Sequence, residues 1–144
     1  MRTRQFAREV GFQLDVIWND EDVLELRVSA WNGAFGGVAQ VWVGIGQLEK
    51  IATQLSGFPK DSSDAREIVL GAFGPGTAGG AASMKFYCAD RAGHAFVESK
   101  IESESESAGV VQCAVISMPI EAAALDAFVS ELQRLERDPQ ALPY

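Results

Sequence analysis

The sequence predicts an α+β domain, an antiparallel sheet of about six to seven strands with two helices on one face. Most of the chain alternates apolar and polar residues with a period of two, which is typical of half-buried strands. Two segments change to the spacing of an amphipathic helix. The resulting order, βββ-α-ββββ-α, favours an antiparallel sheet that carries both helices on the same side.

The first three strands follow from alternation and turn signals. Apolar side chains occupy every second position in residues 12–18 and 24–30, and the acidic turn 19–22 separates these segments. Asn32-Gly33 predicts a hairpin, because a type I′ turn requires a positive φ at both central positions. The third strand then covers residues 38–43.

The period changes to that of a helix after the third strand. The apolar residues of segment 48–55 fall on one helical face, and Gly57 with Pro59 ends the helix. A short strand at 67–70 follows. Residues 71–80 contain five glycines and one proline, and such a composition is too flexible for regular structure.

The second half of the chain predicts three more strands and a closing helix. The strands cover residues 81–89, 96–103 and 110–116. The helix is expected to begin near Ser117, whose hydroxyl would cap it, with Pro119 in the first turn, where its missing N–H costs nothing. Its apolar stripe consists of Leu125, Phe128, Leu132 and Leu135.

The length and composition predict one domain in a reducing compartment. A chain of 144 residues suits a single domain spanning 1–144, with residues 1–10 as a candidate flexible start and 138–144 as a tail. No apolar run approaches the roughly 18 residues of a membrane-spanning helix, so we expect no membrane partner. Cys88 and Cys113 lack CxxC spacing and lie in apolar stretches, which favours buried, reduced thiols in a cytoplasmic protein.

The charge balance bears on the class of partner. The chain has 20 acidic and 12 basic side chains, a formal charge of −8. An acidic domain repels phosphate backbones, so we expect no nucleic-acid partner. The same sign would speed association with a basic protein. A need for solubility explains the charge equally well.

Two motifs raise the question of a cofactor or an enzyme. Residues 74–79 fit the letters GxGxxG, but a predicted strand follows them instead of the helix whose N-terminus would bind a pyrophosphate. His94 is the only histidine, and Cys88 six residues earlier places a Cys–His dyad within reach. Cys88 alternates with core side chains, however, and buried thiols are inert.

Metal sites are disfavoured as well. One histidine and two cysteines are too few for a typical zinc site. The acidic turns 19–22 and 61–64 lack the residue order of an EF-hand loop, which favours solvated turns. We therefore predict no catalytic residue, no cofactor and no metal.

An acidic row is the most unusual local feature of the sequence. In a strand, Glu98, Glu102, Glu104 and Glu106 share one face, with only Lys100 between them. Opposite a basic partner this row would steer encounter and set the register. A charged edge strand that blocks aggregation between sheets explains the row as well.

Aromatic residues indicate a second candidate surface. If the apolar residues of the second and third strands face the helices, Trp31 and Trp42 point to the opposite face. Tyr87 and Phe96 would join them there by the same alternation. Aromatic anchors within a charged rim are typical of a binding patch. Coverage by the N-terminal segment, a loop or a second copy of the chain would account for them equally.

The order of elements between residues 20 and 136 carries a family resemblance. It rests on Phe35-Gly36-Gly37 before the third strand, the helix at 48–55, the glycine-bearing link, the Gly93-His94 hairpin and the closing amphipathic helix. In order and spacing the chain resembles the WapI-type immunity family of bacteria. The resemblance implies a protein that protects a cell by occluding the toxic domain of a wall-associated or contact-dependent toxin, without catalytic residues of its own.

Three functional interpretations stay open at this point. The first is a non-enzymatic protein-binding module, an immunity protein in its narrower form, whose partner is a basic toxin domain. The second is a small-ligand-binding domain or an enzyme that uses the loop 71–80 with His94. The third is a homo-oligomer of structural role, for example a homodimer, in which a second copy covers the aromatic face.

Overall fold

The computed structural model describes residues 10–74, 79–103 and 111–139. Within them the predicted order βββ-α-ββββ-α is confirmed. The elements are β1 (Gly11–Asn19), β2 (Val23–Trp31), β3 (Gly36–Gly44), α1 (Gln47–Leu55), β4 (Ala65–Gly71), β5 (Ala81–Cys88), β6 (Ala95–Ser103), β7 (Gln112–Ile120) and α2 (Ala122–Arg137). The strand pairs among them are antiparallel. The candidate flexible start lies almost wholly outside the described residues, as does most of the tail.

The strands form two sheets, so the prediction of one sheet is wrong. The first sheet has the order β1-β2-β3 and the second the order β4-β5-β6-β7. β3 runs across the strands of the second sheet: a Cβ added at Gly37 would lie 3.7 Å from the Ala114 Cβ in β7, and one added at Gly71 in β4 would lie 3.3 Å from the Val41 Cβ. A strand alternates apolar and polar residues in the same way whether the next strand pairs with it in one sheet or packs over it in a second sheet. The sequence pattern therefore does not distinguish one sheet from two.

The core lies between the two sheets and the helices. Phe12 of β1 contacts Phe128 of α2 edge to face, with 4.6 Å between ring centroids, and lies 6.3 Å from Phe86 of β5. One aromatic cluster therefore joins both sheets to α2. The inward residues predicted for β2, β3 and α1 are buried, namely Leu24, Leu26, Val28, Ala39, Val41, Val43, Leu48, Ile51, Ala52 and Leu55.

The start of α1 is capped by the other helix. Gly46, at the N-cap position, supplies no side-chain hydrogen bond. Glu136 of α2 fills that role, because its Oε1 accepts hydrogen bonds from the N–H groups of Leu48 (3.1 Å) and Glu49 (3.4 Å). A carboxylate at this place satisfies two unpaired amides and interacts favourably with the helix dipole.

The last strand and the last helix begin later than predicted. β7 continues to Ile120, so Pro119 lies in a strand rather than in the first turn of α2, which starts at Ala122. Among the described strands β7 pairs with β6 alone, and such an edge position tolerates the missing N–H of a proline. Ser117 also lies in β7, where its carbonyl accepts a hydrogen bond from Asn32 Nδ2 at 3.2 Å. The predicted apolar stripe of α2 is buried.

The two cysteines are free thiols, but neither is buried as predicted. Cys88 is half-buried at the end of β5, and Cys113 is exposed. Cys113 faces outward opposite Glu102 because Ile116, three residues along β7, takes the inward position.

Candidate functional site

The outer face of the first sheet carries tryptophans, as the sequence predicts. Trp42 of β3 points away from the core, and 39% of its surface is exposed. Trp31 lies at the far end of the same face, where Gly11 and Gly36 are its cross-strand neighbours. It is half-buried. Trp42 is therefore the more accessible of the two predicted anchors.

A third tryptophan joins this face although its alternation predicts a core position. Trp18 continues the inward series of β1 in the sequence, yet it is 44% exposed. The register of β1 and β2 shifts between Val16 and Trp18, so that Val16 pairs with Leu26 and Trp18 with Glu25. Ile17 is the extra residue of a β-bulge, and one extra residue moves the next side chain to the opposite face.

Trp18 and Trp42 form a pair above the middle strand. Both are cross-strand neighbours of Glu25 in β2, so the three side chains form one row across the sheet. Strands two positions apart are separated by about 10 Å. The two indole rings nevertheless meet edge to face, with 5.7 Å between centroids and an interplanar angle of 71°. The rings therefore lean towards each other over Glu25.

The described end of the glycine-rich segment supports Trp42 from the other side. Gly79 has a φ of +89°, and a Cβ added there would lie 2.8 Å from Trp42 Cδ1. The next residue, Gly80, donates its N–H to the Gln40 carbonyl at 2.8 Å, which fixes the segment to β3. Only glycine fits against the indole at position 79, in both conformation and space. These two glycines thus have a role in positioning Trp42.

Carboxylates lie on the strand beneath the tryptophan pair and in the turn that follows Trp18, and Arg27 lies on the same face of β2 as Glu25. Besides Glu25, the turn between β1 and β2 carries Asp20, whose Oδ1 accepts hydrogen bonds from the N–H groups of Asp22 (2.8 Å) and Val23 (2.9 Å). These bonds lower the pKa of the Asp20 carboxyl, so it is ionised at neutral pH. The Asp22 carbonyl accepts a hydrogen bond from the N–H of Ile45, which ties the turn to the end of β3. We call Trp18, Trp42, Glu25 and the turn 20–22 the tryptophan patch.

Tyr87 and Phe96 lie elsewhere. They are cross-strand neighbours in β5 and β6, and their rings stack with 6.1 Å between centroids at 22°. Both are half-buried on the outer face of the second sheet. The aromatic residues predicted to share one face are therefore divided between two sheets.

The acidic row is only partly within the described residues. Glu98 and Glu102 share the outer face of β6, as predicted, whereas Glu104 and Glu106 lie outside the described residues. β6 pairs with β5 and with β7, so the interpretation of residues 96–103 as a protective edge strand is wrong. The Glu102 carboxylate accepts hydrogen bonds from the Gly74 N–H at 3.1 and 3.2 Å.

Basic side chains interleave with this part of the row. Glu98 lies opposite Lys85, whose Nζ is 3.7 Å from Glu67 Oε2. Lys100 lies over the ring of Phe73, with its Nζ 5.0 Å from the centroid. The described outer face of the second sheet is thus of mixed charge, in contrast to the acidic tryptophan patch.

Within the described residues, the contacts of His94 and of Cys88 are with nearby turns and not with each other. His94 Nδ1 is 2.6 Å from Asp90 Oδ2, and this bond lowers the pKa of the Asp90 carboxyl. Cys88 Sγ lies 3.8 Å from the Asp61 carbonyl oxygen. No cluster of three or more metal-binding side chains occurs within the described ranges. Neither α1 nor α2, the helices of the described residues, is long and apolar enough to cross a bilayer.

Comparison of the chain with protein-family models, with curated proteins and with solved structures gives no significant match.

Proposed function

We propose that this protein is a binding module for another protein, with the tryptophan patch as its anchor. The observation that carries the proposal is the exposed, edge-to-face pair of Trp18 and Trp42 above Glu25. Tryptophan is one of the residue types enriched at the energetic centres of protein interfaces. Two large apolar side chains left about two-fifths exposed on one sheet face are accounted for by a partner that covers them.

The geometry of the pair suits tight binding. Trp42 is held by the backbone of Gly79 on one side and by Trp18 on another, so little side-chain freedom remains to be lost. Ordering of an interface side chain otherwise costs about 0.5–1.5 kcal/mol. A pre-positioned pair therefore retains more of its burial energy as affinity.

The charge of the patch favours a basic partner. Glu25 lies between the two tryptophans, the turn that follows Trp18 adds three carboxylates against Arg27 on the same face of β2, and the whole chain carries −8. Opposite charge on the partner would accelerate encounter. Lysine or arginine side chains of the partner would also interact favourably with the indole faces.

The same charge argues against a symmetric homodimer through this surface. A two-fold contact places the same patch of both copies face to face. The carboxylates of one copy would then oppose those of the other, and like charges brought together in an interface cost several kcal/mol. A foreign basic surface meets no such penalty.

The narrower form of the proposal is an immunity protein that occludes a toxic domain. It is supported by the resemblance in element order to the WapI-type immunity family and by the acidic patch, which suits a basic toxin. Occlusion requires only a surface that binds tightly. On this view no catalytic group is needed in the chain itself.

The test is capture of a partner by the tagged protein from a lysate of the organism that encodes it, in parallel with two variants. Trp42→Asp introduces a charge in the patch, and Val115→Asp introduces the same charge at an exposed position of the second sheet. We expect one stoichiometric protein with wild type and with Val115→Asp, and its loss with Trp42→Asp. Equal capture by both variants would refute the patch as the anchor.

The captured protein then tests the immunity proposal. Expressed alone, it should be toxic to cells, and co-expression of the wild type should restore growth where Trp42→Asp does not. If the captured protein is not toxic, the proposal of a binding module stands and the immunity role is refuted. Failure of a well-folded bait to capture any protein would refute the binding module.

A further inference from the structure

A groove separates β1 from α2 on the side of the molecule away from β3. Its volume is about 560 Å³. The floor is apolar and contains Leu14, Met118 and Phe128, all of them buried. One wall consists of Val10 and the start of β1, residues 11–15, and the other is one side of α2; the end of β7, residues 118–120, also lines the groove.

The β1 wall offers main-chain groups for pairing. Among the described strands β1 pairs with β2 alone, so its other edge faces the groove. Six consecutive residues line the groove, and only a strand edge presents side chains of both faces in this way. Unpaired edges of this kind accept an extended peptide through main-chain hydrogen bonds.

The α2 wall leaves room for such a peptide. The helix presents Ala124 and Ala127 to the groove, and both are exposed. Their short side chains keep the space beside β1 open. The five β1 residues that line the groove extend over about 17 Å, which matches an extended segment of about five residues.

The charged residues that line the groove are all acidic. They are Asp15, Glu121 and Glu131, and no lysine or arginine belongs to the described lining. Arg134 donates hydrogen bonds to Glu131 from one side, and Gln13 Nε2 donates to Asp15 at 3.0 Å. Asp15 is itself buried and Glu131 is paired with Arg134, so Glu121 is the exposed acidic position of the rim. The rim therefore favours a cationic side chain beside Glu121.

We propose that this groove binds an extended, basic segment of a partner protein, which adds a strand to the outer edge of β1. The apolar floor would receive every second side chain of the segment, and Glu121 at the rim would bind an intervening lysine or arginine. This site is distinct from the tryptophan patch and goes beyond the proposed function, since it would bind a peptide on its own.

The experiment measures binding of a fluorescein-labelled hexapeptide of alternating arginine and valine to the full-length protein by fluorescence anisotropy. The acidic counterpart, alternating glutamate and valine, is the control peptide. Ala127→Arg fills the groove and adds a cation to its wall. Ser130→Arg adds the same charge at an exposed position of α2 that does not line the groove.

We expect the basic peptide to bind wild type and Ser130→Arg with affinities within about threefold of each other. Ala127→Arg should weaken binding by at least about tenfold, because the bound segment would be displaced and repelled. Thermal unfolding confirms that both variants are folded. Absence of binding to wild type, equal binding of the acidic peptide, or equal affinities of the two variants would each overturn the proposal. None of these outcomes depends on the partner captured through the tryptophan patch.

Discussion

The indole rings of Trp18 and Trp42 meet 5.7 Å apart although their strands, β1 and β3, do not pair with each other. The contact requires the bulge at Ile17, which turns Trp18 outward, and it passes over Glu25 on the strand between them. An edge-to-face aromatic pair contributes about 0.5–1.5 kcal/mol beyond the burial of its area. One extra residue in β1 thus creates an exposed pair of tryptophans on the first sheet.

The pair predicts a spectroscopic signature. Two indoles in edge-to-face contact couple excitonically, so the far-UV circular dichroism spectrum should contain a tryptophan couplet. Trp18→Phe and Trp42→Phe should each remove it, whereas Trp31→Phe, at the opposite end of the sheet, should leave it in place. A couplet that survives both substitutions in the pair would contradict the described contact.

Gly80 is predicted to be intolerant of any side chain. A Cβ there would lie 2.5 Å from the Glu102 carbonyl oxygen and 3.1 Å from that of Gln40, both of them backbone atoms. Gly80→Ala should lower the free energy of unfolding by about 1–3 kcal/mol. Gly44→Ala is the matched control, because a Cβ there meets nothing within 4 Å. It should change stability by less than about 0.5 kcal/mol in urea unfolding.

Glu136 is predicted to stabilise the protein by capping α1. Glu136→Ala removes the acceptor for two amides and should cost about 1 kcal/mol. Glu136→Gln retains an acceptor and loses only the interaction of the charge with the helix dipole, so its cost should be about half as large. Urea unfolding measures both. Equal stability of wild type and Glu136→Ala would show that the bond between the helices adds nothing.

Asp64 predicts a dependence of stability on pH. Hydrogen bonds from Arg66 (Nη2 to Oδ2, 2.8 Å) and from the Lys60 N–H hold the pKa of its carboxyl below the usual value. Because the folded-state pKa is lowered, the stabilisation is present above the unfolded carboxyl pKa of about 3.9 and is lost as the pH falls through the lower folded value.

Asp64→Asn should therefore be less stable than wild type at neutral pH, and the difference should shrink as the pH falls below about 4. Asp126→Asn, at an exposed position of α2, is the control. Urea unfolding across this range measures both variants. A difference between wild type and Asp64→Asn that stays constant with pH would contradict the assignment.

The local part of the fold could be predicted from the sequence. Alternation reports which side of a strand is buried, and it correctly placed Trp42 outward and the apolar residues of β2 and β3 inward. The same rule failed for Trp18, because a single bulged residue reverses the alternation without changing composition. It also misplaced Pro119, since a proline fits an edge strand as well as a first helical turn.

Long-range relationships had no signal in the sequence. The division into two sheets depends on β3 crossing the ends of β4 to β7, and the cap of α1 comes from Glu136, more than 80 residues away in the chain. The composition of the segment predicts a flexible loop at glycines 79 and 80, whereas their positions are set by Trp42 and by the backbones of β3 and β6. For the candidate site, Trp42 could thus be predicted, but its partner Trp18 and its support Gly79 could not.

Titration calorimetry of the purified partner against three forms of the protein tests the central claim most directly. If the tryptophan patch is the anchor, Trp42→Asp should reduce the free energy of binding by at least about 2 kcal/mol, a loss of affinity of roughly 30-fold, as truncation of an interface hot spot does. Val115→Asp, with the same added charge on the second sheet, should retain the wild-type affinity. Equal affinities for wild type and Trp42→Asp would contradict the claim and place the binding surface elsewhere on the molecule.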